Sequence, residues 1–127
     1  MKGRSSLEII KFLIIGTSIF LIIKAFIPVK GLRHISTNEL KSELKDRNKQ
    51  FIDVRTSGEY KANRIKEFKN IPLHQLNQKG VKQLSKNKEV IVICQSGMRS
   101  QKACKMLKKM GYKKITNVKG GMNAWRE

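Results

Sequence analysis

The sequence predicts an α/β fold in which a central, mostly parallel sheet carries helices on both faces. Residues 90–93, Val-Ile-Val-Ile, form a short β-branched run, which is typical of a strand covered on both faces. Apolar residues at helical spacing follow it, at Ala103, Leu107 and Met110. Strand-like and helix-like segments also alternate along the chain, a pattern that indicates a parallel sheet joined by helical connections.

A long apolar segment precedes this predicted domain. Residues 12–23 carry no charge, but this run of twelve is shorter than the roughly 20 residues that span a bilayer. Residues 7–29 reach spanning length if Lys11 and Lys24 extend their ammonium groups to the two interfaces. We therefore predict one uncleaved transmembrane helix that contacts lipid over residues 7–29.

A cleaved signal peptide is the competing interpretation, because signal sequences have an apolar centre of this length. No small-residue cleavage motif follows the run, since residues 24–28 read Lys-Ala-Phe-Ile-Pro. Basic residues are more numerous downstream of the run than upstream. This asymmetry predicts a single-pass protein of the cell membrane with its domain on the cytoplasmic side.

We divide the chain into residues 1–33, which hold the basic tail, the anchor and the linker, and a domain at residues 34–127. Residues 30–34 are interpreted as the linker. The net charge is +19, from 28 Lys and Arg against 9 Asp and Glu. This excess indicates anionic partners, or a composition that only keeps the domain soluble. Few aromatic residues lie among the lysines, so nucleic-acid binding is not expected.

Capping and apolar spacing predict the first elements of the domain. Residues 36–39, Ser-Thr-Asn-Glu, resemble a capping box, after which Leu40 and Leu44 fall on the inward side of a helix. Residues 51–55 predict the next strand. Further elements are expected in chain order: a short helix entered at 56–60, an extended segment at 71–73, a weak helix at 75–84 and a last strand at 115–118. A terminal helix follows, from which Trp125 packs against the domain.

The polar loop after the 90–93 strand begins with a cysteine and reads Cys94-Gln95-Ser96-Gly97-Met98-Arg99-Ser100. The expected fold puts the Cys94 sulfur at the carboxyl end of a strand and at the amino end of a helix. Free backbone N–H groups at such a point bind anions and favour a thiolate over a thiol. Cys94 is therefore predicted to be a nucleophile rather than a buried structural cysteine.

This loop, with Ala103 beyond it, resembles the active-site loop of the rhodanese (sulfurtransferase) family. Other family-like segments occur in the same order, at 53–55, 59–60, 70–73, 120–121 and 124–125. The resemblance implies that Cys94 takes sulfane sulfur from a small anionic donor such as thiosulfate and becomes a persulfide. It then passes the sulfur to a thiol-containing acceptor or to cyanide. No metal and no organic cofactor is implied.

The loop residues are all assigned to the active loop and to substrate binding. Arg99 would attract an anionic donor, Gly97 would adopt a positive φ so that amides converge, and Ser96 would hydrogen-bond the sulfur. Gln95 is expected at the entrance and Met98 at the exposed rim, with Ser100 closing the loop.

The resemblance gives Asp53 and Arg55 a supporting role beside the loop. For Asp53 a strand-end ion pair or turn cap is the simpler interpretation. Arg55 is expected to pair with Glu59, four residues later.

The chain departs from the family pattern at residues 63–68, where the family usually has Gly-His-Ile and then Gly-Ala. Here the replacements are Asn63, Arg64, Glu67 and Phe68. We expect the loop beside the pocket to gain charge and bulk and to lack the usual histidine, which affects substrate preference more than the sulfur chemistry.

Several alternatives stay open. Cysteine phosphatases place an arginine six positions after the cysteine, where this chain has Ser100, so phosphatase or arsenate-reductase activity is not expected. Cys104 is interpreted as a core residue, with a resolving thiol as the alternative. His34 and His74 have no metal-site spacing. The main rival to an enzyme is a membrane-tethered sulfur carrier or protein-docking module without turnover.

Overall fold

A computed structural model of the chain describes residues 5–26, 31–77 and 79–127. Five strands form one sheet in the order β1-β5-β4-β2-β3, and every neighbouring pair is parallel. The predicted α/β class is therefore confirmed. The elements are α1 (Ser6–Phe26), β1 (Leu32–Ile35), α2 (Thr37–Glu43), β2 (Lys49–Asp53), α3 (Ser57–Ala62), β3 (Lys69–Asn70), β4 (Glu89–Ile93), α4 (Met98–Lys109), β5 (Ile115–Val118) and α5 (Gly121–Ala124), with 3-10 turns at Leu73–Gln75 and Lys79–Gln83.

The central strand β4 explains why helices cover both faces of the sheet. Its residues Val90 to Ile93 are completely buried. Because side chains alternate along a strand, Val90 and Val92 join one apolar cluster and Ile91 and Ile93 join a second on the opposite face. Leu107 of α4 lies in the first cluster and Leu40 of α2 in the second.

The predicted capping box at the start of α2 is present. The Glu39 backbone N–H donates to Ser36 Oγ over 3.1 Å, and the Ser36 N–H donates to Glu39 Oε1 over 3.2 Å. Two donors at the helix terminus are thereby satisfied. The side chain of Leu40, one residue later, is completely buried, as the spacing predicts.

Two segments differ from the sequence interpretation. Residues 32–34, assigned to the linker, belong to the edge strand β1, which pairs with β5 in register. The strand is held by its pairing with β5, by the burial of Ile35, and by hydrogen bonds from Arg33 to Thr116 (3.2 Å) and Glu43 (2.9 Å). The weak helix expected at 75–84 is replaced by the two 3-10 turns. The division of the chain after residue 33 stays a prediction.

The N-terminal helix α1 is long and apolar enough to cross a membrane by length and composition. Its window Ser6–Lys24 has a mean hydropathy of 2.1, and none of it is buried within the protein. A signal sequence near the N-terminus has the same properties, so the helix is a candidate span. Residues 1–4 and 27–30 of the predicted N-terminal segment lie outside the described residues.

Candidate active site

The candidate site lies at the carboxyl edge of the sheet, where β4 ends and α4 begins. Cys94 directly follows β4, and its side chain is completely buried. Gly97 is the N-cap of α4 and has φ 106°, a left-handed conformation that glycine adopts without strain. Its N–H donates to Cys94 Sγ over 3.0 Å. The expected positive φ at Gly97 is therefore present, and it directs an amide at the sulfur.

The hydroxyl beside the sulfur belongs to Ser100 rather than to Ser96. Cys94 Sγ lies 3.3 Å from Ser100 Oγ, which in turn donates to the Gly97 carbonyl over 3.0 Å. Ser96 is exposed, so the contact expected for it is wrong. The reason is that α4 begins at Met98, within the polar loop, which brings Ser100 into the first turn of the helix beside the sulfur.

The amino end of α4 has no side-chain cap. In an α-helix the first N–H groups have no partner within the helix, and they carry a partial positive charge. The first backbone N–H of this helix that bonds within it is that of Gln101, to the Gly97 carbonyl over 3.2 Å. The amides before it are thus available to an anion beside Cys94.

The backbone of the active loop is held from α5, a contact that sequence reasoning missed. The N–H groups of Met122 and Asn123 donate to the carbonyls of Cys94 (2.8 Å) and Gln95 (2.9 Å). Gly121 has φ 53°, and a Cβ at this position would collide with the Cys94 carbonyl. The Gly120-Gly121 dipeptide was the available signal, because paired glycines mark places where backbone approaches backbone.

Arg55 links the end of β2 to the active loop. It is 2% exposed and binds the fully buried Asp53, with Nη2 2.8 Å from Oδ2 and Nε 3.0 Å from each carboxylate oxygen. Its other contacts are Nη1 to Gln95 Oε1 (3.1 Å) and Nη2 to the Asn63 carbonyl (2.5 Å). This places Asp53 and Arg55 beside the loop, where a supporting role was expected.

The predicted Arg55–Glu59 pair is wrong, because Asp53 takes the guanidinium of Arg55 inside the fold and Glu59 pairs with Arg99. Gln95 is likewise not a free residue at the entrance. Besides accepting from Arg55, its Nε2 donates to Asn123 Oδ1 over 2.6 Å, so its amide joins β2 to α5.

Glu59 and Arg99 form a bidentate ion pair across the mouth of the site, with N–O distances of 2.6 and 2.8 Å. The hydrogen bonds from Arg99, helped by those from Thr56, lower the pKa of Glu59 from 4.5 to about 2. Glu59 in return raises the pKa of Arg99. An anionic donor that approaches Arg99 therefore has to share this cation with Glu59.

A groove of about 580 Å³ borders the loop at Arg99. Its wall combines apolar side chains with Lys102 and His74. Met98, the first residue of α4, is 79% exposed, and it is not among the residues that line the groove. The lining residues are Val54, Thr56, Pro72, Leu73, His74, Asn77, Arg99, Lys102 and Met106.

The divergent segment 63–68 adds its bulk to the core rather than to the pocket. Phe68 is 1% exposed and packs edge-on against Phe51, with ring centroids 5.3 Å apart. Arg64 lies over the Tyr60 ring at 5.3 Å. The added charge lies on the exposed surface, and no residue of this segment lines the groove, so neither the charge nor the bulk expected beside the pocket is found there.

The second cysteine has the properties of a core residue. Cys104 is completely buried in the cluster that contains Ala103 and Leu107. Burial, with a smaller contribution from nearby Cys94, raises the pKa of its thiol to about 12. Both cysteines are free thiols. Among residues 5–26, 31–77 and 79–127, no group of three or more His, Cys, Asp or Glu side chains could hold a metal ion.

Comparison with known proteins identifies relatives of this site and fold. The rhodanese-like domain family model matches residues 36–127. The chain is 39% identical over 95 residues to "Putative sulfurtransferase YtwF" of Bacillus subtilis, which covers 74% of this chain and 90% of that protein. It is also 39% identical over 80 residues to "Putative sulfur carrier protein YrkF" of the same organism, covering 63% of this chain and 43% of that protein.

A solved structure has the same architecture. The rhodanese-like domain protein of Staphylococcus aureus superposes with a TM-score of 0.68 at 33% identity, covering 75% of this chain and 92% of that one. Since the sequence relatives are named for sulfur transfer and sulfur carriage, the comparisons support a sulfur-transfer function.

Replacing Gly121 with alanine is expected to destabilise the loop. The methyl group would meet the Cys94 carbonyl in a left-handed backbone conformation, so we expect the free energy of unfolding to fall by about 2–4 kcal/mol. Urea unfolding in mild detergent, followed by the fluorescence of Trp125, measures this change. Gly58→Ala is the matched control, because nothing lies within 4 Å of a Cβ there and alanine stabilises helices. Equal stability of the two variants would contradict the proposed contact.

Glu59 is expected to remain ionised in acid. A carboxylate whose pKa is lowered by folding stabilises the protein above its unfolded pKa, and this contribution is lost as the pH falls through the folded value. Glu59 should therefore keep its charge through pH 4.5 and titrate near pH 2, as measured by carboxyl carbon NMR. In Arg99→Gln the titration should move back toward 4.5, whereas Lys102→Gln should leave it unchanged. A normal titration of Glu59 in the parent protein would exclude the ion pair.

Proposed function

Since the chain belongs to the rhodanese-like domain family, we propose that it transfers sulfane sulfur through a persulfide on Cys94. The observation that carries the proposal is the position of the sulfur. Cys94 Sγ lies between the Gly97 N–H and the Ser100 hydroxyl at the uncapped amino end of α4. Such surroundings stabilise a negative sulfur, both as the attacking thiolate and as the persulfide anion.

The first step is attack of the Cys94 thiolate, its proton released to solvent, on the outer sulfur of a donor such as thiosulfate. A bond forms between the two sulfurs, the bond between the donor's own sulfur atoms breaks, and sulfite leaves with the electron pair. In the thiol state the Ser100 proton bonds the Gly97 carbonyl. Rotation of this hydroxyl toward the sulfur would supply a second donor to the anion, beside the Gly97 N–H.

The second step returns the enzyme to its starting state. A thiolate of the acceptor, or cyanide, attacks the outer sulfur of the persulfide, and Cys94 leaves as the thiolate. Gly97 and Ser100 then stabilise the departing charge, as they stabilise the attacking one. All of these changes occur at sulfur, so the proposed reaction uses no metal and no organic cofactor.

The charges around the loop fit small anionic donors and thiol acceptors. Arg99 is held in place by Glu59 and borders both the loop and the groove, while Lys102 adds a second cation nearby. A donor anion can exchange with one carboxylate oxygen of Glu59 without moving Arg99. The groove leaves room for the rest of a thiol acceptor beside the loop.

We further propose that α1 anchors the protein in the cell membrane, with residues 7–29 in contact with lipid and the domain in the cytoplasm. The exposed apolar side chains of α1 and the basic residues that follow the segment support this arrangement. Cytoplasmic thiols remain reduced, which suits a reaction that depends on a free cysteine.

A sulfur carrier or docking module without turnover is the second candidate. Complete burial of Cys94 favours it, because a shielded persulfide is released only to a partner that opens the loop. A relative named as a sulfur carrier is consistent with this alternative. The two candidates differ in one measurement, since a carrier would form the persulfide but would not be discharged by small thiols or cyanide.

We expect the full chain in mild detergent to gain one sulfur atom when incubated with thiosulfate, as seen by intact mass, and to lose it on addition of cyanide. Cys94→Ser should gain none. Ser100→Ala should react about 10- to 100-fold more slowly, because a hydrogen bond to a charged group is worth about 1.5–3 kcal/mol.

Two controls accompany this measurement. Ser96→Ala removes a hydroxyl from the same loop and should react like the parent, since Ser96 is exposed. Cys104→Ser should still form the adduct. An adduct on Cys94→Ser would overturn the mechanism. So would a Ser100→Ala variant that reacts as fast as Ser96→Ala and the parent protein.

The anchor is expected to hold the intact chain in membranes. After expression in bacteria, the protein should resist alkaline carbonate extraction and keep its N-terminal residues by mass. Ile15→Lys with Ile19→Lys should release it, because a lysine at the centre of a span costs about 2.5–3.5 kcal/mol. The matched control is Ile15→Leu with Ile19→Leu. A soluble form that begins after the apolar run would identify a signal peptide instead.

A further inference from the structure

The end of the sheet where the strands begin, opposite the active loop, carries a group of lysines that outnumbers the carboxylates around it. Because the strands are parallel, they all begin at this edge and end at the edge that holds Cys94. Lysines lie just before β4, just before β5 and at the end of α4. We call this set the lysine edge: Lys86, Lys88, Lys108, Lys109, Lys113 and Lys114.

Contacts place several members of the lysine edge at the same end of the sheet. Lys88 and Lys114 line one shallow recess of about 360 Å³. Gly111, which follows α4, lies beside the side chain of Lys86. Five of the six side chains are exposed, and that of Lys108 is half-buried.

The nearby carboxylates are already paired with other cations. Glu43 and Glu89 both bind Arg33, at 2.9 and 3.3 Å, and both bind Lys49, at 3.0 and 3.3 Å. Asp46 also binds Lys49, at 3.8 Å. Within the described part of the chain, no ion pair involves the lysine edge. The three carboxylates exceed their two cations by only one charge, so most of the positive charge of the lysine edge is not compensated.

The chain enters the domain at this same edge. A Cβ on Gly31 would lie 2.7 Å from Lys108 Nζ and 3.2 Å from the Lys113 carbonyl oxygen. Four residues, 27–30, separate Gly31 from the last residue of α1. At about 3.3–3.6 Å per residue, even a fully extended connection keeps Gly31 within roughly 18 Å of the end of α1.

We propose that the lysine edge binds the anionic phospholipid headgroups of the membrane in which α1 is anchored. The proposal rests on the membrane anchoring proposed above and goes beyond it. Lysines beside an anionic bilayer each contribute about 1 kcal/mol of attraction, and the short connection holds all six within reach of the surface. With this edge on the lipid, the loop of Cys94 lies at the far end of the strands and faces the cytoplasm.

The test uses the full chain in nanodiscs of phosphatidylcholine alone or of phosphatidylcholine mixed with phosphatidylserine. Lysines are acetylated briefly, and the rate at each position is measured by mass spectrometry. We expect the lysine edge to react at least fivefold more slowly in the anionic discs. The protection should disappear in about 1 M salt, where the Debye length falls to about 3 Å. Three lysines of the opposite half serve as the internal reference and should react equally in both discs: Lys61, Lys66 and Lys119.

Matched charge variants locate the effect. Replacing Lys88, Lys113 and Lys114 together with glutamine should weaken protection of the remaining lysine edge, by about fivefold in the docking equilibrium for each lysine removed. The same replacement of Lys61, Lys66 and Lys119 changes the net charge equally and should leave protection intact. If both triple variants lose protection from acetylation equally, binding depends on net charge alone, and the proposal of a specific lipid-binding edge is wrong.

The other outcomes are also decisive. Equal acetylation in both kinds of disc overturns the proposal, as does failure of the chain to enter discs, because the anchor is its premise. Protection by added duplex DNA in zwitterionic discs, without protection by phosphatidylserine, would assign the edge to nucleic acid. Sulfur loading of Cys94 is measured in the same samples, so a failure of the sulfur chemistry is seen separately from a failure of lipid binding.

Discussion

The left-handed conformation of Gly97 is the constraint on which the site depends. It lets the chain pass from a buried strand into a helix within four residues, since β4 ends at Ile93 and α4 begins at Met98. The same turn directs the Gly97 N–H at the sulfur and brings Ser100 over it. The position of the Cys94 sulfur, its two hydrogen-bond partners and the open helix terminus thus follow from one backbone angle, and a side chain at residue 97 would strain it.

Two buried supports keep this loop in position from opposite sides. On one side Asp53 and Arg55 form an ion pair that reaches Gln95, and on the other Gly121 allows the α5 amides to bind the loop carbonyls. A buried ion pair is a costly support, because losing one partner leaves an unpaired charge. Arg55 reduces that cost by also binding the Asn63 carbonyl. Through Gln95 the pair thus connects the end of β2 to the active loop.

Sequence patterns predicted what depends on local periodicity and missed what depends on tertiary contact. β4 and β5, the α2 capping box and the cysteine loop all have short-range signals, and each is found close to its expected position. The edge strand β1 was missed because its pairing with β5 and the Arg33–Thr116 hydrogen bond join residues 83 apart in sequence. The partner of Glu59 was missed because Arg99 lies 40 residues away in sequence. The role of Gly121 likewise appears only once α5 is packed against the loop.

The burial of Cys104 determines how readily its thiol can enter disulfide exchange. Sulfur donors and persulfides readily convert accessible thiols into disulfides and mixed species, and a low thiolate population slows every such exchange. With a pKa of about 12, Cys104 is almost entirely protonated at neutral pH, although it shares a cluster with Cys94. The low thiolate population of Cys104 therefore disfavours formation of an internal disulfide with Cys94.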